Sequence, residues 1–216
     1  MTVYVKICGL SDEAAVAAAV DGGAKFVGFV FFPKSPRHVT PARAGGLARN
    51  VPKDVTRVGL VVDATDDLLA DIANTAGLDM LQLHGSETPA RAAEIRKRFG
   101  LKVMKVVPVA EVGDVAKART YEAICDRLMF DAMPPMGASR PGGNARAFDW
   151  ALLKGLKTKL PWLLAGGLTA QNLATAVRLS GAKAVDVSSG VEDRPGVKSI
   201  LKIKEFLQAA AALPCP

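Results

Sequence analysis

Short, nearly continuous apolar runs alternate along this chain with segments whose apolar residues recur at helical spacing. Val3–Ile7 reads as a strand, followed by an Ala-rich helix capped by Ser11 and stopped at Gly22-Gly23. The same unit repeats. Strands are predicted at Phe26–Phe31, Arg57–Val62, Met80–Leu83, Val103–Val107, Leu128–Asp131, Trp162–Ala165 and Ala184–Val187. Helices are predicted from about Pro41, from a Thr65 or Asp66 cap to Gly77, and from Thr88-Pro89 to Phe99 with a stop at Gly100. Further helices follow at Val112–Arg119, Phe148–Leu153, Ala170–Leu179 and Ser199–Ala210.

Strands that are apolar throughout belong to a parallel sheet with both faces covered. Eight such βα units in 216 residues, without a linker or a shift in composition, predict one (β/α)8 barrel domain spanning 1–216. A doubly wound open sheet is the competing arrangement. It generally has fewer strands, and the Gly-rich dinucleotide fingerprint that would follow its first strand is missing here.

Composition changes this picture little. Half the residues are apolar and 23% are charged, as in ordinary globular enzymes. The three cysteines, Cys8, Cys125 and Cys215, are too few and too scattered for a disulfide framework or a zinc cluster, and they suit a reducing cytosol. No export signal is evident at the start. No apolar run approaches the roughly 20 residues that span a bilayer. The expectation is a cytoplasmic protein without membrane contact, as a monomer or a homodimer.

A formal net charge of +7 raises the question of nucleic acid. The basic residues are dispersed, however, and the mild clusters at Arg96-Lys97-Arg98 and Lys154 to Lys159 are placed on solvated helix faces. With two tyrosines and two tryptophans, stacking platforms for bases are scarce. No nucleic-acid partner is expected; a mild positive field would equally attract an anionic metabolite.

In a (β/α)8 barrel the chemistry sits at the C-terminal ends of the strands and in the loops after them. That rule gathers Cys8, Arg37, His84, Asp131 and Asp186 at one rim from distant parts of the sequence. Cys8 has two readings. It is a small buried apolar side chain, or a nucleophilic base whose thiolate is favoured by a cation such as Lys6 or by a helix N-terminus. Asp131 is either a turn-capping aspartate or a carboxylic acid used in proton transfer. His84 reads as a hydrogen-bonded strand-end residue or a catalytic one, and His38 as a surface residue. Neither histidine has companions at metal spacing.

The clearest ligand signal lies in two small-residue loops. Strand seven runs into Gly166-Gly167 and strand eight into Ser189-Gly190, where backbone N–H groups can approach a phosphate. The alternative is that these glycines only make tight turns. Arg37 offers a planar fork to a carboxylate. A substrate with two anionic ends follows. The 16 residues from Ala132 to Ala147 are too long for a plain connector and read as a mobile flap.

Val5-Lys-Ile-Cys-Gly-Leu10, Gln82-Leu-His-Gly85, Phe130-Asp131, Pro141-Gly-Gly-Asn144, Phe148-Asp-Trp150, Leu164-Ala-Gly-Gly-Leu168 and Asp186-Val-Ser-Ser-Gly-Val-Glu192 follow in order over nearly the whole chain. This ordered set resembles the phosphoribosylanthranilate isomerase family. The resemblance implies an Amadori rearrangement in tryptophan biosynthesis, with Asp131 as general acid and Cys8 as general base. It implies that Arg37 holds the anthranilate carboxylate, that Gly166, Gly167, Ser189 and Gly190 hold the phosphate, and that Asp186 and His84 shape the pocket floor. No metal or organic cofactor is implied, because the substrate nitrogen acts as electron sink. The chain departs from the family pattern at Ala145, where a glycine is usual, and Arg140 and Arg146 add charge to the flap.

Two related barrels are the nearest alternatives. A histidine-pathway isomerase would carry a carboxylate in place of Cys8, and an indole-glycerol phosphate synthase would need lysine and glutamate catalysts at strand ends. A non-enzymatic basic barrel would instead form salt-sensitive RNA complexes and show no turnover.

Overall fold

A computed structural model describes residues 2–137, 141–143 and 147–214 of the chain. Eight parallel strands close into a barrel in sequence order: β1 Tyr4–Cys8, β2 Phe26–Val30, β3 Thr56–Val61, β4 Met80–Leu83, β5 Lys102–Val109, β6 Arg127–Ala132, β7 Trp162–Leu164 and β8 Ala184–Val187. β8 returns to β1 with Lys6 opposite Asp186, and β1 meets β2 with Cys8 opposite Gly28. Around the strands lie α1 Glu13–Asp21, α2 Pro41–Ala48, α3 Asp66–Thr75, α4 Pro89–Phe99, α5 Val112–Lys117, α6 Leu173–Ser180 and α7 Ile200–Ala211. A two-stranded hairpin, β9 Glu192–Arg194 and β10 Val197–Lys198, sits between β8 and α7.

The barrel has two apolar layers because strand side chains alternate between faces. Val27 and Phe29 of β2 belong to the large core shared with the helices, together with Ile7, Leu81, Phe130 and Val185. The other parity gives a separate inner cluster: Phe26, Val58, Met80, Met104, Val106, Met129, Leu163, Ala165 and Ala184. Lys6, Cys8, Gln82, His84, Asp131 and Asp186 all share that inner parity. Cys8, His84 and Asp131 therefore stand above an apolar plug toward the end of the strand where the barrel opens, and Lys6 and Gln82 lie two residues earlier on the strands of Cys8 and His84, fully buried.

Helix starts follow side-chain chemistry closely. Thr40, Thr65 and Thr88 cap α2, α3 and α4, with Pro41 and Pro89 in the first turn, and Gly100 ends α4 at φ +68°. The cap of α1 is Asp12, not Ser11: its extended backbone lets the carboxylate accept from the Ala15 N–H at 2.8 Å.

Three further sequence expectations need correction. The segment predicted as a helix at Phe148–Leu153 is a single 3-10 turn over Trp150–Leu153, held by Asp149. The Lys154 to Lys159 stretch is irregular, not helical. α6 starts at Leu173, not Ala170, because Asn172 first folds a turn, accepting from the Thr169 N–H and donating to the Gly167 carbonyl at 2.9 Å. The hairpin was not anticipated at all.

Among the described residues no helix is long and apolar enough to cross a membrane. Arg140, Asn144, Ala145, Arg146 and Cys215 lie outside the described residues, so the flap departures named above are not located.

Candidate active site

One cavity opens at the C-terminal ends of the strands. Its wall includes Cys8, Arg37, His84, Asp131, Gly142, Gly166, Gly167, Asp186 and Ser189. Eight of the nine residues singled out from sequence thus face one space. Gly190 is the exception: it lines the adjoining cleft with Gly167, Thr169 and Ser189. A side chain there would overlap the Leu168 carbonyl, so its smallness serves the packing of the β8 loop against the β7 loop.

At the centre of the floor is a buried triad of Lys6, Cys8 and Asp186. Lys6 is fully buried in an interior of low polarity, and its Nζ donates to Asp186 Oδ1 at 2.7 Å. Burial works against the Lys6 ammonium, but the Asp186 carboxylate and the Cys8 sulfur outweigh it and raise its pKa. For Cys8 the balance is reversed. Burial pushes the thiol up, the Lys6 ammonium pulls it down, and burial prevails. The expected cation is present, yet it does not by itself make a resting thiolate.

Gly28 makes this arrangement fit. A Cβ at that position would lie 3.1 Å from each of Cys8 Cα, Cys8 Sγ and Lys6 Nζ. The missing side chain leaves the gap into which sulfur and ammonium both lean.

Asp131 stands on β6, three strands from β1 around the barrel. Its Oδ1 accepts from the Ala132 N–H at 2.8 Å, and its Oδ2 lies 3.2 Å from His84 Nε2. That His84 contact has ion-pair distance without hydrogen-bond alignment. The other ring nitrogen, Nδ1, meets the Gln82 side-chain amide at 3.2 Å. Gly142, from the segment read as a flap, covers this pair. A Cβ there would lie 2.7 Å from the His84 ring and 3.0 Å from Asp131 Oδ2.

Arg37 corrects an expectation. Its fork is not open toward a ligand: Nε and Nη2 donate to Glu192 Oε1 and Oε2 at 2.6 and 2.8 Å. Only the Nη1 corner is turned to Gly143 at the cavity wall. Glu192 also accepts from Lys198 Nζ at 2.8 Å, and Lys198 donates to the Ser188 carbonyl at 2.9 Å. Burial would raise the Glu192 carboxyl, but Arg37 and Lys198 hold it below the usual carboxylate range.

The loops after β7 and β8 bring backbone to the same cavity. Gly166 and Gly167 turn with φ +92° and +64°, a path side chains disfavour. Ser189 opens a one-turn 3-10 helix, whose first N–H groups have no partner within the turn.

Sequence reasoning missed Gln82, Glu192 and Lys198 as site residues, and it named Lys6 only as a nearby cation. A lysine inside an otherwise apolar strand was the available signal, since a buried ammonium demands a carboxylate partner.

Fold and site together define a (β/α)8-barrel enzyme with a thiol and a carboxylate across one pocket. The family model for N-(5'-phosphoribosyl)anthranilate (PRA) isomerase matches residues 5–209. The chain belongs to the N-(5'-phosphoribosyl)anthranilate isomerase family. The relative of that name from Paramagnetospirillum magneticum is 56% identical, over 97% of this chain and 98% of the relative. The crystal structure of phosphoribosyl anthranilate isomerase from Thermotoga maritima has TM-score 0.87 at 34% identity, covering 98% of this chain and all of that one. A phosphoribosyl anthranilate isomerase in complex with reduced 1-(o-carboxyphenylamino)-1-deoxyribulose 5-phosphate has TM-score 0.81 at 32% identity, with the same coverage of both chains.

Proposed function

We propose that Cys8 and Asp131 divide the proton transfers of the family reaction. In that reaction, a step of tryptophan biosynthesis, N-(5-phosphoribosyl)anthranilate rearranges to 1-(o-carboxyphenylamino)-1-deoxyribulose 5-phosphate. The observation that carries this reading is the placement of thiol and carboxyl on the walls of one cavity, with Arg37 and the β7 and β8 loops lining it as well.

Asp131 protonates the ribose ring oxygen, and the C1–O bond opens to an iminium conjugated with the aromatic ring. Cys8, as thiolate, then removes the C2 proton to give an enolamine, which tautomerises to the ketone. Burial keeps the free thiol protonated near neutrality. The iminium places a second cation near the sulfur, beside Lys6, and this favours the thiolate at the moment it is needed. His84 steadies the Asp131 carboxylate after proton loss.

The phosphate is held by the backbones of Gly166-Gly167 and Ser189-Gly190, the usual place in barrel enzymes. Arg37 receives the anthranilate carboxylate at its Nη1 corner. The substrate is thus a small phosphorylated molecule with a second anionic end. Cytoplasmic location and absence of a nucleic-acid partner accord with this chemistry.

The test is incubation of purified protein with phosphoribosylanthranilate, following the loss of anthranilate fluorescence. Turnover is expected. Absence of turnover by folded protein overturns the reading, and an unchanged KM in Arg37→Ala removes Arg37 from the carboxylate role.

A further inference from the structure

The hairpin β9–β10 has no counterpart in a plain βα connection, and it delivers two buried charges to the space behind Arg37 of the pocket wall. Glu192 and Lys198 are paired in its register. Gly196 turns it at φ +86° and packs against the Pro36 carbonyl, so the hairpin leans on the same loop that carries Arg37.

The charges in this cluster do not cancel. Arg37 spends two edges of its guanidinium on Glu192, in a parallel pair of short hydrogen bonds. An Arg–Glu pair of that kind is neutral overall and a weak attractor for a further anion. Lys198 restores the balance. Its Nζ meets Glu192 at 2.8 Å, with the Ser188 carbonyl at 2.9 Å and the Ser188 hydroxyl at 3.3 Å, acceptors that suit an ammonium. Burial pulls the Lys198 ammonium's pKa down, and the Glu192 carboxylate opposes that pull. With Lys198 held as an ammonium by Glu192, two cations against one anion leave the cluster with one unit of positive charge. Almost all of it is shielded from water, and Arg37 presents it to the cavity.

We propose that Lys198 is a positioning and charge-setting residue for Arg37, selecting substrates with a carboxylate on their aromatic end, and that the β9–β10 hairpin exists to carry it. This rests on Arg37 being the carboxylate contact. Glu192 fixes the orientation of the guanidinium, and Lys198 supplies the charge that Glu192 takes away. One unit charge a few ångströms behind the contact, in a medium of intermediate polarity, changes anion affinity on the order of tenfold.

A purely structural role for Lys198 makes a different prediction. Because its ammonium also grips Ser188, a structural loss would loosen the β8 loop and weaken any phosphorylated ligand alike. The experiment therefore compares two ligands by calorimetry. One is reduced 1-(o-carboxyphenylamino)-1-deoxyribulose 5-phosphate; the other is the same compound without the ring carboxylate. The wild-type protein is expected to prefer the first. Lys198→Met should cut that preference about tenfold while leaving the second ligand's Kd nearly unchanged, and Lys198→Arg should keep most of it.

The double variant Glu192→Gln/Lys198→Met removes one charge of each sign. It should recover a preference that the single variant loses. Equal weakening of both ligands in Lys198→Met, or an unchanged ratio, overturns the proposal. If Lys198→Met does not fold, the double variant decides: preference kept supports the charge account, and preference lost overturns it. Equal affinity of the wild-type protein for both ligands would instead remove the carboxylate contact itself, and the proposal with it.

Discussion

Adding one methyl group at Gly28 tests whether the floor of the pocket is built as described. The alanine Cβ would sit 3.1 Å from Cys8 Cα, from Cys8 Sγ and from Lys6 Nζ at once. Carbon contacts that short are repulsive, so each neighbour must retreat by a few tenths of an ångström. Cys8 Cα has least freedom, because β1 is paired on both sides. The sulfur and the ammonium therefore yield, away from each other and from their places under the substrate. Overpacking of this kind costs about 1–3 kcal/mol, which lowers Tm by roughly 2–12 °C in a domain of this size. A displacement of the base by a fraction of an ångström to 1 Å lowers kcat by about 10- to 100-fold. The three atoms nearest the added methyl belong to Cys8 and Lys6, not to Arg37 or to the β7 and β8 loops, so KM should change little. Steady-state kinetics on phosphoribosylanthranilate, with a parallel thermal melt, read all three quantities. Wild-type kcat in a folded Gly28→Ala protein would refute the packing argument, and so would a loss confined to KM.

Two other outcomes follow from buried charge. Glu87 bridges the loops after β3 and β4 by accepting from the Asp63 and Gly85 N–H groups, and among the described residues the cation paired with it is Lys105 Nζ at 2.7 Å. Lys105→Met strands that carboxylate, so a loss of about 3–5 kcal/mol is expected, or roughly 6–20 °C in Tm; a melt within about 2 °C of wild type would contradict it. Burial pushes the Cys8 thiol up, with Lys6 opposing, and it pushes the Cys125 thiol up to about 11. The thiolate is the reactive form, so iodoacetamide labelling followed by peptide mass spectrometry should be slow at both cysteines near neutrality and accelerate as pH rises above the ordinary thiol range. Rapid Cys8 labelling at neutral pH with no pH dependence would show that Lys6 outweighs burial after all.

The barrel was legible because its strands are covered on both faces. β2, Phe-Val-Gly-Phe-Val, is buried at every position, and a run of that kind announces itself in sequence. Cys8, His84, Asp131 and Asp186 were legible for a geometric reason: a polar residue closing such a run must stand at the barrel mouth. What stayed hidden depends on partners far away in sequence. Lys6 and Asp186 are 180 residues apart, and Arg37 and Glu192 are 155 apart, so neither pair leaves a local pattern. The hairpin escaped notice because Glu192-Asp193-Arg194 and Val197-Lys198 carry charge where a strand reading looks for apolar alternation. The late start of α6 reflects side-chain competition, since Asn172 satisfies the backbone of the preceding turn before helix can form. The resemblance read from ordered motifs named the residues, whereas the structure supplied the reasons for their placement.

The division of labour between Cys8 and Asp131 is tested most directly by single-turnover kinetics of Cys8→Ala and Asp131→Asn on phosphoribosylanthranilate. The proton transfers proposed for each side chain require both groups, and removing either should lower the rate by several orders of magnitude, while the reduced product analogue still binds within a few-fold of wild type. A near-normal rate in either variant would contradict the role assigned to that residue.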